Sequence, residues 1–155
     1  MKVHFLGTAA AEGFPNPYCR CDACRNARSL GGKNIRTRSS VLIDGMIKVD
    51  YSADSHMQAL RDGIDLGAVE HLLFTRTHYD HFQPSDLYNR VDGFAHGIDQ
   101  PLHIYGNDAA VSQSISAIGP DAGDRFSFGF LHDDFERAFE PAGIKVAYDG
   151  LIVDL

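Results

Sequence analysis

His78, Asp80 and His81 fall within four consecutive positions, directly after the apolar run Val69–Phe74. Imidazole and carboxylate are the donor types that suit zinc, manganese and iron. A buried strand feeding a polar loop holds such donors in place, which limits the entropy lost in aligning them. Loops that follow strands of an α/β sheet also open into the crevice where such sheets bind ligands. The stretch Thr75–His81 is therefore a candidate metal-ligand loop. The competing reading is three unrelated surface residues.

A second cluster precedes it. Cys19, Cys21 and Cys24 are the three cysteines of the chain, in the spacing Cys-x-Cys-x-x-Cys. An odd number packed so tightly is a poor disulfide framework. Thiolates favour zinc, and a closed structural zinc site takes four ligands, so a fourth would come from elsewhere. Such a site ties its loop to a distant segment and does no catalysis. Three free thiols on a loop are the alternative.

The elements that must carry these clusters can be read from patterning. Lys2–Leu6 reads as a strand ended by Gly7, and residues 7–18 as a loop rich in glycine and proline. Asp22–Leu30 reads as helical turns stopped by Gly31-Gly32. Ser40–Ile43 and Met46–Val49, separated by Asp44-Gly45, predict a hairpin. Ala53–Asp62 shows helical spacing through Met57 and Leu60, with Gly63 as a stop. Pro84–Arg90 reads as a short helix, Leu102–Tyr105 as a strand, and Asn107 as the cap of a helix running to Ile118. Ile144–Val146 and Leu151–Val153 are further strand candidates. Alternating strands and helices predict an α/β sheet.

Bulk properties narrow the partners. The chain has 155 residues, 44% of them hydrophobic, enough for one domain with a core. A net charge of −7 argues against a nucleic-acid clamp, which is normally basic. It leaves room for a small anionic substrate, because a bound cation reverses the local field. No apolar run approaches the roughly 20 residues that span a bilayer, and the start is no signal peptide, so a cytoplasmic location is expected.

Residues Thr75–His81 resemble the His-x-His-x-Asp-His signature of the metallo-β-lactamase-fold hydrolases. Carried over, His78 matches a ligand of a first metal, and Asp80 and His81 match ligands of a second. The first histidine of the signature falls on Arg76, whose guanidinium has no lone pair to offer a metal. Three readings follow: a change that weakens the first site, a fixed charge standing in for a cation, or an error in the sequence. Gly7–Pro15, the cysteine knuckle and Arg36-Thr37-Arg38-Ser39-Ser40 resemble the branch holding the cyclic-phosphate phosphodiesterase PhnP, with PqqB as a relative. In that branch the cysteines hold a structural zinc with a late histidine.

The resemblance implies an αββα sandwich, of which residues 1–155 would supply the N-terminal half to two-thirds as one incomplete domain. The remaining metal ligands and the fourth knuckle ligand would lie beyond Leu155. It implies a structural Zn2+ at the knuckle and one or two Zn2+ or Mn2+ ions at the loop. The reaction expected is hydrolysis of a small cyclic or linear phosphodiester, impaired by Arg76. Asp80 would be both ligand and proton acceptor, with His78 and His81 as ligands. A non-catalytic binding module and a tRNA 3′-processing type of nuclease are the alternatives. Asp50 is a candidate for orienting a ligand histidine. Arg36 and Arg38 either assist an anionic substrate or face solvent. His4, His56, His71, His96, His103 and His132 have no chelating neighbours in sequence. A half-sandwich would leave one apolar sheet face uncovered, so self-association is expected.

Overall fold

A computed structural model describes residues 1–129 together with positions 137 and 141. The strand candidates Ile144–Val146 and Leu151–Val153, and His132, lie outside the described residues. Six strands form one sheet in chain order: β1 (Val3–Gly7), β2 (Ser40–Ile43), β3 (Ile47–Val49), β4 (His71–Leu73), β5 (Leu102–Tyr105) and β6 (Phe126–Gly129). The first three pair antiparallel, and β3 through β6 run parallel. Within residues 1–129 the α-helices are α1 (Asp22–Leu30), α2 (Ser55–Asp62) and α3 (Asp108–Ile118). Shorter 3-10 turns include Pro84–Arg90, which carries Pro at its start as its sequence predicts.

Local chemistry explains the tight points. Asp44 and Gly45 both have positive φ, at 49° and 79°, and Met46 N–H bonds to Ile43 O, so the tight turn sits in a three-residue hairpin loop and the second strand starts at Ile47 where Met46 is expected. Gly63 ends α2 in the left-handed conformation, with φ 64°. The Asn107 side chain accepts from Ala110 N and caps α3.

One sheet face is the core. Lys48, Leu72 and Ile104 stand in register across β3, β4 and β5, and Leu6, Leu42, Leu102 and Ile118 pack on the same side. The opposite face carries Ile47, His71, His103 and Ser127 in one row. On that face Val3 and Phe5 are exposed, and Val41, Ile43, Val49 and Leu73 are half-buried.

Helix α2 departs from its pattern. Met57 and Leu60, the apolar positions that predict it, are exposed, while Ser55, Gln58 and Ala59 are buried. The helix packs through polar contacts beside the small Ala59: Gln58 Nε2 donates to the Thr37 hydroxyl and to the Arg38 carbonyl, each at 2.9 Å. Gly7 is obligatory there, since a Cβ would lie 1.9 Å from Arg38 O.

Candidate metal centre

Strands β3 and β4 are parallel neighbours, so the segments leaving their carboxyl ends emerge side by side. Asp50 follows β3 directly, with its N–H bonded to Leu73 O at 2.8 Å and its φ at 59°. The ligand loop follows β4 and is held at both ends. Phe74 and Phe82 meet edge to face with ring centroids 4.6 Å apart, inside the core. Tyr51 N–H donates to His81 O, and Gln83 N–H to Tyr51 O, which zips the loop's exit onto the segment after β3.

Within that frame Asp50 is a buried hub. Its Oδ1 accepts from Thr75 N at 2.8 Å and Thr75 Oγ1 at 2.9 Å, and its Oδ2 lies 2.6 Å from His81 Nδ1. His81 Nε2 lies 3.2 Å from Asp80 Oδ2. Arg76 donates to His81 Nε2 and stands 3.6 Å from Asp80 Oδ2. A guanidinium only donates, so Nε2 is the acceptor and the ring proton is assigned to Nδ1, where it donates to Asp50. That tautomer is the one a metal-ligating Nε2 requires, and a carboxylate behind the ring is the usual way of fixing it.

Asp80 and His81 are buried and together, whereas His78 is exposed and does not complete a three-donor group with them. The buried pair, backed by Asp50, fits a divalent cation. Arg76, half-exposed, does not, and sits against both donors. Thr75, which the sequence marks only as the start of the loop, is an orienting partner of Asp50.

The knuckle is the one group of three or more metal-type ligands gathered among the described residues: the Cys19, Cys21 and Cys24 sulfurs lie within 4.8 Å of one another. Cys21 and Cys24 flank the start of α1, and Arg28 on its last turn donates to Cys19 O and Asn16 O, closing the loop onto the helix. The Cys24 backbone N–H and the neighbouring thiols bring the Cys21 thiol down to about 7, whereas burial pushes the Cys24 thiol up. Three clustered sulfurs, one of them half-ionised near neutrality, are a donor set that fits zinc.

The arginines sort differently from expectation. Arg38 neither faces solvent nor stands free for a substrate. It donates to Asp54 Oδ1 and to Ala11 O at 2.9 Å, and its cation lies 5.7 Å from the Tyr79 ring centroid. It is a clasp between the opening loop, α2 and the ligand loop. Arg36 is exposed and lies over the Phe14 ring, 5.0 Å from its centroid. His71 and His103 stack at 5.2 Å on the sheet face away from the loop, and His4 pairs with Asp62. Lys48, which the sequence does not single out, is buried beneath the site with Nζ 2.5 Å from Ser40 Oγ. Burial lowers its pKa to about 8.

No family model matches the sequence. A stretch of 45 residues is 40% identical to coenzyme PQQ synthesis protein B of Bradyrhizobium diazoefficiens, covering 29% of this chain and 15% of that protein. Among solved structures, a diphosphatase from the PhnP family superposes with a TM-score of 0.62 at 22% identity, over 84% of this chain and 50% of the other. Zn(2+)-bound PqqB from Methylobacterium extorquens gives 0.63 at 23% identity, over 83% and 45%. The metallo-beta-lactamase fold protein YhfI from Bacillus subtilis gives 0.52 at 14% identity, over 83% and 46%. The chain thus spans about half the length of these solved neighbours. At these identities the likeness speaks for the fold. With this sheet order and these superpositions, the chain has the metallo-β-lactamase fold.

Proposed function

We propose that the chain is the ligand-loop portion of a metal-dependent hydrolase acting on a small phosphoester, a cyclic or linear phosphodiester. The observation that carries this reading is the buried trio in which Asp50 braces His81 through Nδ1 and the lone pair of His81 Nε2 lies 3.2 Å from Asp80 Oδ2. In this reading Asp80 and His81 hold a Zn2+ or Mn2+ ion, and His78, exposed on the same loop, is a further imidazole for the site. Such an ion supplies Lewis acidity and neutralises phosphate charge. Asp50 holds the His81 ring proton at Nδ1, and Asp80 is the nearest carboxylate to accept a proton from a nucleophile. The knuckle cysteines hold a structural Zn2+. The neighbour described as a diphosphatase favours a phosphate substrate. A cytoplasmic location, where thiols stay reduced, accords with an intact knuckle.

A second reading, a non-catalytic binding module, is favoured by Arg76, whose guanidinium engages the donors an ion needs. Turnover of bis(p-nitrophenyl) phosphate with added Mn2+, measured on the chain joined to the remaining half of the fold, separates the two. The hydrolase reading expects weak turnover that rises in Arg76→His and vanishes in His81→Ala. No turnover in either the parent or Arg76→His refutes it and leaves the module.

A further inference from the structure

Arg76 stands where the signature would place an imidazole, yet its contacts are with the other half of the ligand set. One terminal guanidinium nitrogen meets both His81 Nε2 and Asp80 Oδ2. These two acceptors lie 3.2 Å apart, and acceptors at that distance need a proton or a cation between them. Arg76 is that partner. Among the described residues its ion pair is with Asp80.

The charge count agrees. Asp50 and Asp80 bring two negative charges and His81 is neutral in the assigned tautomer; the charge of buried Lys48 acts on Asp50, which leaves Arg76 as the cation of Asp80. Without the guanidinium, two buried carboxylates would share one neutral ring. The burial gradient shows which member can leave: the Asp80 and His81 side chains are 8% and 11% exposed, against 51% for Arg76. The donors are fixed, and the cation reaches in from the surface.

We propose that Arg76 is a tethered cation occupying the ion position of Asp80 and His81, so that the site takes a divalent ion only when the guanidinium swings out. The inference rests on the ion position assigned to Asp80 and His81 under the hydrolase reading. It concerns how that position is filled, not what is hydrolysed. A competitor attached to the same loop is present at high effective concentration and cannot be dialysed away. If the position is open in about one molecule in ten, the apparent ion affinity is about tenfold weaker than the intrinsic one.

Mn2+ is the probe, because a hard ion chooses carboxylate and imidazole over the knuckle thiolates. Bound Mn2+ is counted by electron paramagnetic resonance, and thermal unfolding is followed with and without the ion, in the parent chain, Arg76→Ala and Arg76→Gln. The expected result is tight Mn2+ binding in both variants, about tenfold or more tighter than in the parent. The ion should raise the melting temperature of the variants and leave that of the parent nearly unchanged. Asp80→Asn placed in the Arg76→Ala background should abolish the gain. Arg76→Gln removes the charge but keeps a polar side chain with three carbons of the stem, so that a folding defect of Arg76→Ala alone does not decide the matter. Equal Mn2+ affinity in parent and variants overturns the tethered cation while leaving the ion position intact. No Mn2+ bound in any of them overturns both.

Discussion

Asp50 Oδ2 lies 2.6 Å from His81 Nδ1, and this contact joins the ends of two neighbouring parallel strands. Asp50 reaches it with a positive φ of 59°, an uncommon backbone for a residue other than glycine. The carboxylate is anchored on its other side by the Thr75 backbone and hydroxyl. One side chain therefore fixes both the first residue of the ligand loop and its last.

Replacing Asp50 with alanine should leave the Thr75 N–H without its acceptor and His81 Nδ1 without its brace. The expected loss is about 3 kcal/mol of folding stability, read from urea unfolding. Asp50→Asn is the finer probe. Its amide oxygen can still accept from Thr75, but its N–H must then face His81 Nδ1, driving the ring proton to Nε2. Nε2–H would oppose the Arg76 donor, so nitrogen NMR should show the tautomer inverted. An unchanged tautomer would show that Asp50 does not set it.

The cysteine knuckle should bind one Co2+ or Zn2+ per chain, visible for cobalt as a thiolate charge-transfer band, and Cys24→Ser should weaken the band and the affinity. Because ligands bind as thiolates, affinity should rise with pH through about 7, where the Cys21 thiol ionises, and keep rising above it, since burial holds the Cys24 proton to higher pH. A band of unchanged strength in Cys24→Ser would move the metal elsewhere.

Lys48 gives a stability signature at alkaline pH. Burial lowers its pKa from 10.5 to about 8, partly opposed by the charge of Asp50. Between these values the unfolded chain holds the proton and the folded chain has released it. Stability should therefore rise as pH climbs from 8 towards 10.5, by at most about 3 kcal/mol. The comparison is with Lys48→Met, whose urea midpoint should lack that rise. Parallel profiles for the two proteins would show that Lys48 stays charged where it is buried.

Much of the frame is legible in the residues themselves. The Asp44-Gly45 hairpin, α1 with its glycine stop and the Asn107 cap are local events, decided by backbone preference within a few positions. Asp80 and His81 are legible for the same reason, being adjacent and following an apolar strand. The misses are matters of tertiary context. The apolar spacing that marks α2 points outward, because its inner face is taken by Gln58, which bonds the Thr37 hydroxyl and the Arg38 carbonyl. Strand β6 is short and mixes serine and glycine with its phenylalanines, so it shows no pattern until β5 offers it a parallel partner. Arg38 reads as a surface cation but is claimed by Asp54, sixteen positions away. That Arg76 reaches the second ligand pair is a property of how the loop folds back, which spacing does not record.

The ring contact between Phe74 and Phe82 bears on how such a loop can change over evolutionary time. It staples the segment shut below its polar residues, so the hydrophobic interior meets the staple and not what lies above it. A substitution at position 76 therefore disturbs the polar contacts above the staple and leaves the aromatic contact beneath them in place. Such a loop can exchange one surface residue for another without its two ends coming apart.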